Sequence, residues 1–286
     1  MKFLLPVFLC FILNSAMAQY YYNDLVASGE TVQMMKNYLG NKVKTVTIAG
    51  YDKNGVRSTD FAEARVIKES SRTLYVSSVA EMNRSSILTR FDPQWRIVSV
   101  TDSVMHSVTN YSYDSAGRII KIQNVVDDPD SDFNTSETHI WTYNTSTGQP
   151  EKMWRILNGT DSLEIRFIPA PENGNKPGEE VSYKKGRETD RIYYYYDDKN
   201  RLTDIVHYNK KAKKLLPDVI FYYDDNDRVI QKVGSTPGEN FGRAFWVGYT
   251  IWRYIYDEKG LRTKDVLFDT EQRQAGKMEY SYTFAK

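Results

Sequence analysis

The chain has 286 residues, of which 14% are aromatic and 26% charged, and it contains 22 tyrosines but one cysteine. Its 38 basic and 37 acidic side chains nearly cancel and are interspersed, which argues against a nucleic-acid partner and against electrostatic attachment to anionic lipid. The one cysteine is Cys10, near the start of the chain, so the residues after it form no disulfide and no cysteine-ligated metal site.

The first segment, residues 1–18, has the pattern of a secretory signal peptide. Lys2 precedes a short apolar run, and an Ala-Met-Ala cleavage motif ends at Ala18. We expect cleavage after Ala18 and a bacterial protein that is secreted or periplasmic. Residues 19–286 are then expected to form a single β domain.

Beyond the leader, hairpins follow one short helical segment. Residues 32–39 predict a helical turn or two, ended by Gly40. Short alternating apolar runs between turn formers occupy 43–161 and 181–284. The Pro- and Gly-rich segment 169–180 is the clearest loop. We interpret it as a long loop within one domain, and a boundary between two sub-sheets is the alternative.

A short phrase recurs along these hairpins: an aromatic residue, an Asp, several polar turn formers and then, in most copies, an Arg and an apolar strand. The Asp carboxylate accepts a backbone N–H about two residues on, and Gly or Asn at the end of the turn tolerates positive φ. The copies begin at Tyr51, Tyr113, Tyr196, Tyr223 and Tyr256. The residues predicted to build the turns are Asp52, Gly55, Asp114, Gly117, Arg118, Asp197, Arg201, Asp224, Arg228, Asp257 and Gly260.

Weaker copies of the phrase begin at Phe91, Tyr143 and Tyr183. The copy at Tyr143 has Asn in place of Asp and no Arg. Repetition of short strands and tight turns predicts an all-β fold. We expect an antiparallel meander of successive hairpins that forms a large curled sheet or a barrel-like structure.

Residues 111–119 read Tyr-Ser-Tyr-Asp-Ser-Ala-Gly-Arg-Ile, and 254–261 follow the same pattern up to the Gly. This phrase resembles the YD repeat of bacterial RHS-like surface and secreted proteins, whose pattern runs roughly Tyr-x-Tyr-Asp-x-x-Gly-Arg-Leu. The resemblance touches roughly half of the mature chain. It implies β-sheet strips that curl or spiral. The chain is far too short for the shells that this family builds around toxin cargo.

No motif predicts catalysis or a cofactor. The histidines His106, His139 and His207 are scattered and lack companions at ligand spacing, which is typical of surface or packing residues. Nucleophile motifs and phosphate-binding glycine loops are absent from the sequence. A pair of carboxylates that meets only in space would leave no sequence trace. A secreted hydrolase with an Asp/Glu-based site is therefore one alternative.

The strongest metal candidate is the acidic run that contains Asp128, Asp130 and Asp132. These residues alternate as they do in calcium loops, but Phe133 stands where the sharp-turn glycine belongs. An acidic hairpin loop explains the run better.

The densest aromatic cluster lies between residues 241 and 256. Both faces of this strand are apolar, which favours a strand buried on two sides. The competing interpretation is an aromatic platform for sugar rings or an extended peptide. Its binding residues would be Trp246, Tyr249, Trp252 and Tyr254.

These patterns together predict a non-catalytic secreted β-repeat protein that binds a glycan, a peptide or a cell-envelope partner and does not span a membrane. An outer-membrane β-barrel is a further alternative, because alternating strands and many tyrosines suit it. Against it, returning strands such as 119–124 do not keep one face apolar across a membrane's thickness.

Overall fold

Eighteen antiparallel strands form one closed sheet in a computed structural model that describes residues 20–81, 83–127, 134–209, 213–236 and 248–285. The strands are β1 (Val43–Asp52), β2 (Arg57–Lys68), β3 (Thr73–Ala80), β4 (Asn83–Phe91), β5 (Ile97–Asp102), β6 (Ser107–Tyr113), β7 (Ile119–Val126), β8 (Thr135–Tyr143), β9 (Pro150–Leu157), β10 (Asp161–Ala170), β11 (Lys176–Lys184), β12 (Arg187–Tyr196), β13 (Leu202–Asn209), β14 (Lys214–Tyr223), β15 (Val229–Thr236), β16 (Gly248–Tyr256), β17 (Arg262–Phe268) and β18 (Gln274–Phe284). Each strand pairs with the next one along the chain.

The ring closes where β18 pairs with β1, from Val43 opposite Phe284 to Asp52 opposite Gly276. The predicted antiparallel meander of hairpins is therefore confirmed, and it takes the barrel form. Closure leaves no free sheet edge between the first and last strands, so every strand has two neighbours. The predicted leader, residues 1–18, lies outside the described residues.

The sheet is continuous across the segment 169–180. β10 and β11 pair as a hairpin through a short 3₁₀ turn at Pro171–Asn173. Pro169 and Pro177, which suggested a long loop, lie opposite each other in this hairpin at a register shift. Prolines are tolerated at such irregularities because the ladder hydrogen bonds are already interrupted there.

One α-helix, α1 (Asn23–Gly40), precedes the sheet and is 18 residues long. It ends at Gly40 as predicted but starts nine residues before the predicted segment. One face is buried and carries Ser28, Met35 and Tyr38, whereas Glu30 is on the exposed side. No helix within the described ranges is both long and apolar enough to cross a membrane.

The helix lies across the inside of the ring. Its first turn meets β8 and β11, since Asp24 contacts His139 and the N–H of Tyr21 contacts Glu180. Its last turns meet the opposite side of the ring, where the Tyr38 hydroxyl accepts a hydrogen bond from Arg65 of β2. Met35 has 0% of its surface exposed. The helix is therefore held between distant parts of the wall.

Because the strands alternate in direction, the turns that follow even-numbered strands share one end of the ring, which we call the turn rim. Most copies of the repeated phrase lie there. The helix ends there too, because Asn37 Nδ2 donates to the Gly260 carbonyl at 2.7 Å and Asn41 Nδ2 donates to the Lys259 carbonyl at 3.3 Å.

The Asp of each turn organises the loop as predicted. Asp114 Oδ1 accepts the N–H groups of Ala116 and Arg118 at 3.0 and 2.9 Å, and its Oδ2 accepts Nε of Arg118 at 2.7 Å. These bonds stabilise the ionised carboxylate and lower the pKa of Asp114. The same three bonds recur at Asp92, Asp197, Asp224 and Asp269.

At the turn rim, the Arg that the Asp holds lies over the Tyr ring of the next hairpin. That Tyr in turn donates its hydroxyl to the carbonyl of the residue after the Arg, as Tyr223 does to Leu202 at 2.7 Å. We call this chain of contacts the Tyr–Arg ladder. Its ring contacts join Arg96 with Tyr113, Arg118 with Tyr143 and Arg201 with Tyr223 at 4.7 Å, and Arg228 with Tyr256 at 4.8 Å.

The fourth residue of each Asp turn has positive φ, which sets a clear substitution test. Gly117 has φ 80°, and Asn200 occupies the equivalent position with φ 58°. Gly117→Val should lower the free energy of unfolding by roughly 1–2 kcal/mol, because a β-branched residue is strained at positive φ. Gly117→Asn is the matched control and should change stability little. Equal denaturation midpoints for the Val and Asn variants would contradict this turn geometry.

The ladder predicts a second stability difference between two neighbouring tyrosines. Tyr223→Phe removes the hydroxyl that bonds to the Leu202 carbonyl and keeps the ring under Arg201. It should lower the unfolding free energy by about 1 kcal/mol. Tyr222→Phe is the control, since Tyr222 faces outward and is 47% exposed. Chemical denaturation of both variants measures the difference, and the same loss in each would count against the ladder.

Candidate binding cleft at the turn rim

A fully buried carboxylate of the wall holds the N-terminal end of α1. Glu180 of β11 accepts the backbone N–H groups of Tyr21 and Tyr22, both at 2.9 Å, and the hydroxyl of Tyr194 at 2.6 Å. N–H groups at the start of a helix lack partners within the helix, so an acceptor from elsewhere satisfies them. Burial raises the pKa of Glu180 to about 7 despite these bonds.

A buried histidine makes the second contact with the first turn of the helix. His139 Nδ1 lies 2.6 Å from Asp24 Oδ2, and its Nε2 lies 2.9 Å from Glu137. Glu137 also accepts a hydrogen bond from Arg155 Nε at 2.8 Å. Burial disfavours a charged imidazole, but the two carboxylates outweigh it and raise the pKa of His139 to about 9. The sequence indicated only a surface or packing residue here.

Beside this anchor, a cleft of about 400 Å³ lies between α1 and the rim ends of β5 to β9. This volume falls in the range of roughly 300–1,000 Å³ that is typical of small-molecule sites. Leu25 and Val32 line it from the helix, and Ile119 lines it from the wall. The polar residues that line it include Ser28, Arg96, Arg118 and Gln149.

Ser28 is the least expected group in the cleft. It is 4% exposed, and its Oγ has no hydrogen-bond partner within the described ranges. A buried hydroxyl without a partner costs free energy, so such groups are uncommon in folded proteins and mark places where a ligand can bind. Gly29 follows it, and a Cβ on Gly29 would meet no atom within 4 Å. The helix thus leaves open space at this point.

One end of the cleft lies at an interruption of the Tyr–Arg ladder. The turn after β8 ends in Gln149 instead of Arg, as the weak copy at Tyr143 indicated. The next strand that ends at this rim is β10. Its last residue is Ala170, which has no ring for an Arg side chain to cover. Two large side chains that close the rim elsewhere are therefore missing here, and Gln149 lines the cleft instead.

The arginines of the cleft differ in one contact from Arg201, whereas Arg228, outside the cleft, resembles them because Gly260 lies beside its Nη1. Arg201 uses its third nitrogen, Nη1, to donate to the Asp227 carboxylate at 2.8 Å and to the Asp224 carbonyl at 2.9 Å. Asp227 is the fourth residue of its turn, and the equivalent residue beside Arg96 is Gly117. A Cβ on Gly117 would lie 3.3 Å from Arg96 Nη1, so the two groups are adjacent without a carboxylate between them.

Arg118 repeats this arrangement in the next turn. The residue beside its Nη1 is Gly148, whose Cβ would lie 3.8 Å away. Within the described part of the chain, neither Arg96 nor Arg118 makes the bond to a neighbouring turn that Arg201 makes. The sequence patterns did not identify Ser28, Arg96 and Gln149 as residues of a binding site. The missing Arg of the copy at Tyr143 was the one available signal.

The predicted aromatic platform is distributed over the wall rather than gathered on one exposed face. Trp252 points inward and is 7% exposed, and Tyr254 also points inward, with Arg262 4.0 Å from its ring centre. Tyr249 is half-buried at the start of β16, and Trp246 lies outside the described residues. The outward residues of β16 include Ile255, so one face of the strand is exposed. A binding role for these aromatics stays a prediction.

The predicted metal loop, with Asp128, Asp130 and Asp132, lies outside the described residues. Elsewhere, within the ranges that the structure covers, no group of three or more His, Cys, Asp or Glu side chains could hold a metal ion.

The carboxyl groups with raised pKa values lie away from the cleft. Desolvation raises the pKa of Glu30 on α1 and of Glu180, Asp218 and Asp265 on the wall. Glu180 bonds to the helix, Asp218 Oδ1 lies 2.7 Å from His207 Nδ1, and Asp265 accepts the Tyr280 hydroxyl at 2.6 Å. None of the four lines the cleft. Those on the wall stabilise the wall and the helix rather than face a substrate.

Comparison with known proteins gives structural similarities at low identity. No family model and no curated protein matches the chain. A porin-like protein from Bacteroides uniformis is 9% identical with a TM-score of 0.37, over 84% of this chain and 98% of that chain. The Photorhabdus luminescens Tc holotoxin pore is 14% identical with a TM-score of 0.36, over 78% of this chain and 12% of that chain.

The TcdB2-TccC3-Cdc42 structure is 14% identical with a TM-score of 0.35, and this chain covers 11% of the matching chain. The chain thus spans only a small part of the toxin chains that it matches. Likenesses at these scores do not establish a shared fold. The similarity to YD repeats is one of sequence pattern, and the barrel is established by the strand pairing itself.

The His139 contacts predict how stability changes with pH. Because the pKa of His139 is raised to about 9 from 6.5, its contribution is fully present below pH 6.5 and is lost as the pH rises to about 9. The unfolding free energy of the wild type should fall by roughly 1–3 kcal/mol over that window. His139→Gln should remove this slope, and His106→Asn, at an exposed turn, should keep it. An unchanged slope in His139→Gln, measured by urea unfolding, would contradict the charged histidine.

Proposed function

We propose that the protein is a non-catalytic, helix-plugged β-barrel of the bacterial cell envelope that binds a small ligand in the cleft at its turn rim. The observation that carries this proposal is the cleft itself. It combines an apolar wall with a buried hydroxyl at Ser28, which has no partner within the described residues, and two guanidinium groups, beside an interruption of the Tyr–Arg ladder. A mainly apolar cavity with a few polar groups is the usual form of a small-molecule site.

A binding role is favoured over an open pore because α1 lies across the lumen. The helix is anchored at its start by Glu180 and Asp24 and at its end by Asn37, and its own Met35 is fully buried. Breaking a buried ionic contact by removing one partner costs several kcal/mol, so the plug is expected to stay in place. The leader sequence supports a location outside the cytoplasm.

Closure of the barrel fits the outer-membrane alternative, since only closed barrels satisfy every strand in lipid. The outward surface carries large apolar residues such as Ile120, Trp154 and Tyr195, but its charged pairs support a water-facing wall. Ion pairs on that wall join Arg166 with Glu164 at 2.9 Å and Lys277 with Glu279 at 2.6 Å. A lipid-facing barrel needs an outward apolar band about 25 Å tall, which such pairs interrupt.

The two locations differ in a simple purification test. We expect the mature chain to appear in the periplasmic or secreted fraction and to stay monodisperse without detergent. Recovery only in the outer-membrane fraction, with aggregation on detergent removal, would support the membrane alternative and overturn the water-facing proposal.

Ligand binding in the cleft is testable with a neutral apolar dye, N-phenyl-1-naphthylamine. Gly29→Leu should weaken dye binding by about tenfold or more, because the new side chain extends into the open space of the cleft. Gln33→Leu is the matched control, because it adds the same side chain to the exposed face of the helix, outside the cleft. Circular dichroism checks that both variants fold.

Absence of saturable dye binding by the wild type, or equal loss in both variants, would overturn the proposed cleft. Turnover in a broad hydrolase screen that disappears on mutating one Asp or Glu would overturn the non-catalytic assignment.

A further inference from the structure

We infer that the ligand of the rim cleft is a small amphipathic monoanion, with an apolar body and one carboxylate or similar acidic head. This inference rests on the proposed binding function and adds the chemical class of the ligand. Two observations support it: the side chains that line the cleft, and the contact that Arg201 makes with Asp227 elsewhere on the rim.

The apolar part of the cleft accounts for the body of the ligand. Leu25 and Val32 are seven residues, or about two helical turns, apart on the same side of α1. Ile119 faces them from the start of β7. The ring of Tyr22 completes this wall. A ligand without an apolar segment would leave this surface uncovered, so a purely polar ligand such as a free sugar fits it poorly.

The acidic head is indicated by the contact that the cleft arginines lack. At Arg201, the carboxylate of Asp227 lies 2.8 Å from Nη1. At Arg96 and Arg118 the equivalent turn positions carry Gly117 and Gly148, which have no side chain to offer. A ligand carboxylate can occupy the place that the Asp227 carboxylate occupies in the other turn. Such charge-assisted bonds are stronger than neutral ones.

The local charges favour a head with no more than one negative charge. Arg96 and Arg118 are each already paired with one carboxylate, Asp92 at 2.6 Å and Asp114 at 2.7 Å. The cleft therefore supplies hydrogen-bond donors on cationic groups but little uncompensated positive charge. A dianion would bring a second charge without a partner. Ser28 lines the helix side of the cleft, and its buried Oγ has no partner within the described residues.

Competition against the bound dye tests the class of ligand, with decanoate as the probe. Decanoate should displace the dye with a single-site curve. Decanol and decyltrimethylammonium share its tail, and the affinity of each should be lower than that of decanoate by a factor of about ten or more. The probes are used below their micelle concentrations.

Gly117→Asp tests the head position directly, since it places a carboxylate where the chain itself has one at Asp227, at a φ that Asp tolerates. It should weaken decanoate by about tenfold and leave decanol unchanged, because only the acid needs Arg96. Gly117→Asn is the neutral control of the same size and should weaken decanoate less than Gly117→Asp does, because it adds no negative charge.

These outcomes distinguish the proposed cleft from the proposed class of ligand. Dye binding that Gly29→Leu abolishes, together with equal affinity for decanoate and decanol, would keep the cleft and overturn the anionic class. Tighter binding of decyltrimethylammonium than of decanoate would also overturn it. Loss of decanoate binding in Gly117→Asn as large as in Gly117→Asp would show that Arg96 does not hold the head.

Discussion

The carboxylate of the turn Asp is the interaction on which the barrel depends. One oxygen fixes the backbone of the turn, and the other fixes the guanidinium of the following Arg, as at Asp114 with Arg118. The Arg plane then provides the surface on which the Tyr of the next hairpin packs. Local turn chemistry is thereby converted into contact between successive hairpins. Repetition of this unit explains how short strands, which are marginal as isolated hairpins, build one continuous ring.

The inside of the ring follows a different principle, because its contacts join residues far apart in sequence. Glu180 bonds to the helix start 159 residues away in the chain, and His139 contacts Asp24 across 115 residues. Buried ionic groups contribute little net stability when they replace apolar packing, but removing one partner is costly. They therefore specify where the helix sits more than how stable the barrel is. The cleft exists beside these anchors because the helix is held at a fixed distance from the wall.

The sequence predicted the parts that are local. Turn residues such as Gly117 and Asp224 could be assigned because their chemistry acts within five residues. The full length of α1 could not, since its first turns are stabilised by Glu180 and His139 on distant strands. Closure depended on the pairing of β18 with β1, which no local pattern encodes. The missing Arg at Gln149 was visible, but its consequence, a gap in the ladder beside Ser28, needed the closed ring.

The most direct measurement is a crystal structure of the mature protein with bound 10-bromodecanoate. We expect an anomalous bromine signal beside Leu25 and Val32, with the carboxylate hydrogen-bonded to Arg96 and Arg118. We also expect that the N–H groups of Tyr21 and Tyr22 still bond to Glu180, so that ligand binds with the helix in place. Bromine elsewhere on the barrel, or density in the lumen with α1 displaced, would contradict this binding mode.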